Sequence, residues 1–159
     1  MVYLSPDEFH TTWLGNKAIY RTRMAMADDG ELIILAPGVA GFGEDAAIDR
    51  LIRKYGYRTT PTIMAQLENN ADLRDNLSAA AHLIHGSPEE RFRVTYCPGG
   101  LSQAEIEGVG YGFASLQTMS ERFPVNELAD GWNQSDAEGG FYFIRNPALG
   151  LWAHPSRLA

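Results

Sequence analysis

Apolar positions along the chain recur at two spacings, and the switches between them mark its elements. From Gly15 or Asn16 to about Ala27, the stripe Ala18, Ile19, Thr22, Ala25 and Met26 predicts a helix. Asp29-Gly30 is a turn signal. Glu31–Ala36 (ELIILA) is then a continuous apolar run, as in a parallel strand covered on both faces. Helical spacing returns over 44–55, with Ile48, Leu51, Ile52 and Tyr55 as the buried stripe and Gly56 as the stop. Thr60-Pro61 opens a helix to about Glu68, and a third runs from about Asp75 to His85. Residues 91–97 alternate in part and predict a strand. Ser102 and Glu105 form a capping-box pattern that opens a helix to about Glu107. A short strand over 109–113, a helix over 115–122, a loop over 126–140 and a strand over 140–145 complete the pattern. Residues 5–14 read as a lead-in with at most one helical turn. The order predicts an α/β fold, a small mostly parallel sheet flanked by helices, in a single domain over 1–159.

Composition narrows the function classes. The 159 residues carry a formal net charge of -7, and the thirteen basic residues form no dense run. A nucleic-acid surface and a polybasic membrane surface are therefore not expected. No apolar run reaches the ~20 residues of a membrane span. The first residues lack the basic and apolar regions of a secretion signal, so a cytoplasmic location is expected. Cys97 is the single cysteine and fits a reducing compartment. Its place at a strand end favours a packing role over a catalytic thiol.

The Gly-rich stretch PGVAGFG (37–43) follows a strand, where ligands of open α/β sheets gather. Its spacing is not a dinucleotide fingerprint and no phosphate-loop lysine follows, so a left-handed glycine turn is the expected role. His82 and His85 stand at i, i+3 in AAAHLIHG, within reach of a shared metal. His85 also falls in the last helical turn, where a histidine interacts with free carbonyls. Packing or capping is the favoured reading, and no metal site is predicted. His10 and His154 have no sequence support as catalysts.

Trp13, Lys17 and Arg21 recur at a spacing of four. Cations in a first helical turn oppose the helix dipole. The residues alone favour a solvated basic face with Trp13 below it. The alternative is an anion site, in which a bound carboxylate offsets that placement.

The stretch WLGNKAIYRTRMAMADDGELIILAPGVAGFGED resembles the start of the C-terminal domain of the lactate racemase family, the nickel-pincer nucleotide enzymes. NLSAAAHLIHGSPEERFRVTYCPGGLSQAEIEGVGYGF, DGWN and FIRNPALGLWA are similar to its D-mannonate epimerase-like members. The resemblance covers nearly the whole chain. It implies the later part, roughly two-fifths, of a two-domain α/β protein whose active site lies between the domains. The general-base histidines, the cofactor-tethering lysine and the nickel-ligating histidine would belong to an N-terminal domain that this chain lacks. The implied chemistry is inversion at a carbon bearing a hydroxyl beside a carboxylate, with hydride lent to the nickel-pincer nucleotide. None of that cofactor is expected on this chain alone, and no residue here is expected to be catalytic.

The family begins this domain with an aromatic residue and, four residues on, a lysine that helps hold the substrate carboxylate. Trp13 and Lys17 match that pattern and turn the reading toward the anion site. Arg21 joins them by helical spacing only. The expectation is a substrate-positioning domain for a 2-hydroxy acid, inactive when isolated, whose partner is the N-terminal domain. Self-association through an exposed interface is also expected. A stand-alone carboxylate-binding or protein-interaction module is the alternative.

Overall fold

The computed structural model describes residues 1–135 and 139–158. Four strands, β1 (Val2–Tyr3), β2 (Glu31–Ala36), β3 (Arg93–Pro98) and β4 (Gly112–Phe113), form one sheet. Their spatial order follows chain order, and every pair is parallel. The apolar run of β2 explains its central place. Leu32, Ile34 and Ala36 point into the larger core, while Leu35 and Ile33 meet a smaller one on the other face.

Eight helices flank the sheet among the described residues: α1 (Thr12–Gly15), α2 (Lys17–Tyr20), α3 (Ala46–Tyr55), α4 (Thr60–Asn69), α5 (Ala71–Arg74), α6 (Leu77–His85), α7 (Gln103–Gly108) and α8 (Leu116–Arg122). Trp13, Ile19, Leu51, Ile52, Ile63, Leu83 and Ile106 bring the first seven onto the larger core, with Leu73 from α5. Met119 of α8 closes the smaller core with Cys97, Leu35 and Phe123. An antiparallel hairpin, β5 (Gly131–Ser135) and β6 (Gly139–Phe143), lies beside α8, where Phe141 packs edge-on against Phe123. The α/β class and the parallel sheet agree with the sequence pattern. No helix of the described residues is long and apolar enough to cross a membrane.

Local signals placed several boundaries. Asp45 caps α3 by accepting the amides of Ala47 and Ile48, both at 2.8 Å. Gly56 ends that helix at φ 66°, where a side chain would be strained. Both halves of the Ser102–Glu105 capping box are formed. The bonds from Ser102, backbone then hydroxyl, and from Arg53 hold the Glu105 carboxyl down to about 2.

Three expectations are corrected. The helix predicted to Ala27 is instead the pair α1 and α2, ending at Tyr20. Beyond it, the Arg21 and Met24 carbonyls accept the amides of Trp152 and His154, so the C-terminal segment takes the place of a continuing helix. The loop expected over 126–140 contains β5, paired through Trp132 and Tyr142; its residues 136–138 lie outside the described set. The glycines of 37–43 are not left-handed turn residues. At Gly38 and Gly43 a side chain is excluded by close packing instead: a Cβ would lie 2.7 Å from Pro6 Cα and 2.2 Å from the Asp49 nitrogen, respectively.

Candidate functional site

The site residues sit beside loops that leave the C-terminal ends of the strands. After β1, residues 10–13 run alongside 40–42: Ala40 donates to the His10 carbonyl at 3.0 Å, and Trp13 to that of Phe42 at 2.8 Å. The loop after β3 closes on the loop after β2. Gly99 donates to Ala36 at 3.0 Å, and a Cβ there would come within 1.9 Å of the Pro37 oxygen. The α1–α2 turn therefore stands on backbone packed against backbone, at the edge where α/β sheets bind ligands.

Four-residue helices have too little internal hydrogen bonding to hold themselves. Side chains beneath the turn do so. Thr12 Oγ1 donates to the Phe42 carbonyl at 3.0 Å and lies 2.7 Å from the Tyr57 hydroxyl. The Tyr57 hydroxyl is 2.9 Å from His82 Nε2, and the Asn16 side-chain amide reaches the same nitrogen at 3.2 Å. Trp13 stacks on the His82 ring, with centroids 4.5 Å apart and planes inclined at 29°. Tyr57 stacks in turn on Tyr111 at 4.5 Å, and Tyr111 donates to the Gly86 carbonyl at 2.7 Å. Thr12, Asn16, Tyr57, His82 and Tyr111 are all buried.

Burial dominates the electrostatics of this cluster. It holds His82 down at about 3, with the neighbouring His85 adding to the effect, so the imidazole is neutral at physiological pH. Burial also pushes the Tyr57, Tyr96 and Tyr111 phenols up. Tyr96 is fully buried and its hydroxyl has no hydrogen-bond partner among the described residues. A Cβ on Gly15 would come within 2.8 Å of that oxygen, so glycine makes room for it.

The three residues singled out in the sequence have different surroundings. Trp13 is half-buried against His82. Lys17, also half-buried, holds its ammonium 5.6 Å from the centre of the Phe9 ring and has no carboxylate partner among the described residues. Arg21 points to the C-terminal segment, donating to the Ala148 and Gly150 carbonyls at 3.2 and 3.1 Å. Its Nε is buried without a partner among the described residues. The helix-terminus component of the anion-site reading falls away, because α2 has only four residues whose dipoles could align. What attraction an anion finds here comes from the Lys17 ammonium.

The remaining candidates resolve by position. His85 is exposed and packs at 5.7 Å against Tyr20, while His82 points into the core. Among the described residues no cluster of three or more His, Cys, Asp or Glu is placed to hold a metal. Cys97 is fully buried, and burial pushes its thiol up to about 12. It is a packing residue, inert as a nucleophile at neutral pH. Thr12, Asn16, Tyr57 and Tyr111 were not candidates in the sequence. They are scattered over a hundred positions, and no local pattern links them.

No protein-family profile matches the chain, and no curated protein matches it in sequence. Among solved structures, the crystal structure of a protein from Thermotoga maritima is similar over 96% of this chain, with a TM-score of 0.70 and 20% identity. The likeness is one of fold. The match spans 36% of the Thermotoga chain, so most of that protein has no counterpart here.

Proposed function

We propose that this chain is the substrate-positioning C-terminal domain of a nickel-pincer-dependent racemase or epimerase, acting on a 2-hydroxy acid of the D-mannonate type. The observation that carries this reading is Lys17: a half-buried ammonium with no carboxylate partner among the described residues, one turn after Trp13 on a braced loop. A substrate carboxylate would complete it through charge-assisted hydrogen bonds. The motif match at Trp13 and Lys17 supports the same reading. So does the span of 36% on a longer chain of the same fold, close to the share expected of such a domain.

The residues present do not fit the nickel group itself. No metal cluster is formed among the described residues, and His82 Nε2 is engaged by Tyr57 and Asn16. In this reading the cofactor, its tether and the proton-transfer histidines belong to a partner N-terminal domain. This chain contributes orientation and charge. Its two packed cores also suit a second reading, a carboxylate-binding module that acts without chemistry.

Titration with D-mannonate and with lactate, followed by chemical-shift changes, tests the site. Lys17→Ala is expected to weaken binding by about tenfold or more, the worth of a charged hydrogen bond. Equal binding by wild type and variant would remove Lys17 from the site. Adding a matching N-terminal domain with cofactor separates the two readings: turnover supports the enzyme part, and its absence supports the module.

A further inference from the structure

We infer that His82 is a positioning residue for Trp13 and Lys17, fixing the α1–α2 turn in the geometry that a carboxylate would meet; this rests on the carboxylate-site reading above. Three of the six residues from Thr12 to Lys17 are held from below by one small group of side chains. Trp13 lies on the His82 ring, Asn16 reaches His82 Nε2, and Thr12 reaches Tyr57, which itself bonds His82. Asn16 is the residue directly before Lys17, so its side-chain anchor sets where the lysine leaves the turn. The fit is close. A Cβ on Gly86, just past the end of α6, would fall 2.3 Å from Asn16 Nδ2 and 2.5 Å from the Tyr57 ring.

An apolar residue at position 82 would fill the same space without burying ring nitrogens. A buried polar group costs free energy unless it is bonded, so its usual return is one specified geometry rather than added stability. The specified geometry here is that of the only segment carrying both Trp13 and Lys17. His82 does not itself contact a ligand in this scheme. It acts through Trp13 and Asn16.

Two variants divide its contributions. His82→Phe keeps a ring under Trp13 and removes the nitrogen; His82→Gln keeps a polar group within reach of Tyr57 and Asn16 and removes the stack. Each is checked for folding by thermal melting. The readouts are the Trp13 indole NMR signal with its side-chain order, protection of the Asn16 and Tyr20 amides from exchange, and lactate affinity. His82→Phe is expected to loosen the amides and weaken lactate binding by about tenfold. His82→Gln is expected to restore amide protection while freeing the Trp13 ring. In a Lys17→Ala background, His82→Phe should add no further loss of binding, because its effect passes through that lysine. Folded variants with an unchanged Trp13 signal and unchanged amide protection would overturn the inference, as would an equal added loss without Lys17. If wild type binds no lactate, the carboxylate site falls, and the Trp13 and amide readouts alone decide whether His82 orders the turn.

Discussion

Two regions of the molecule depart from the usual polar-outside arrangement, in opposite directions. Beneath α1 and α2, Thr12, Asn16, Tyr57, His82 and Tyr111 are buried with hydrogen-bond partners, while the buried Tyr96 hydroxyl has none among the described residues. Next to it, the β5–β6 hairpin and the C-terminal segment, which Arg21 ties to the end of α2, leave apolar groups in solvent: Trp132 is 74% exposed and Leu149 85%. Between them Met1, Met26, Trp132, Tyr142, Ile144 and Trp152 line a largely apolar cleft of about 340 Å³. Exposed single apolar residues are ordinary, whereas a bonded polar interior and an apolar patch each call for a reason. The first region spends its burial on holding one turn in place. The second leaves surface uncovered, which suits contact with another domain or another copy.

Acid should destabilise the first region. The folded-state pKa of His82 is depressed to about 3 from an ordinary 6.5, so the unfolded chain binds more protons between those values. Stability from a neutral His82 is complete above about pH 6.5 and is lost as pH falls toward 3, on the order of 5 kcal/mol in all. Denaturant melts at stepped pH, comparing wild type with His82→Gln, would show this. A variant with the same acid slope as wild type would assign the loss to other groups.

A smaller effect is expected from Tyr57→Phe, which leaves Thr12 and His82 without their shared partner. Loss of that hydroxyl should lower stability by about 1–3 kcal/mol. No change on chemical denaturation would mean that the bonds through Tyr57 contribute little. The smallest effect on stability belongs to the apolar side. Trp132→Ser should change unfolding free energy by less than about 0.5 kcal/mol, because the side chain is mostly in solvent. Its expected consequence is weaker self-association in sedimentation, and a wild-type chain that stays monomeric at high concentration would count against an interface there.

The same contrast separates what was legible in the chain from what was not. The strand at 31–36 was plain, because a run of apolar residues between Gly30 and Pro37 needs cover on both faces. The helices at 46–55 and 103–108 carried their own caps. The stripe from Ala18 to Met26 read equally well as a helix but ends at Tyr20, since its later carbonyls bond residues 152 and 154. Part of the candidate site was named in advance as well. Trp13 and Lys17 were singled out by spacing and resemblance, and Arg21 by the same spacing proved to hold the C-terminal segment. His82 was noted beside His85, but its link to Trp13 was not readable.

The sequence by itself determined the α/β class, a mostly parallel sheet built on the strand at 31–36, and the candidate lysine, because periodicity, caps and turn residues act within a few positions. Tertiary structure decided which side chains meet: Trp13 with His82, Asn16 with the same nitrogen, Arg21 with the carbonyls near 150. Those partners lie far apart along the chain, and a contact between distant residues is set by how whole elements pack rather than by either residue's neighbours.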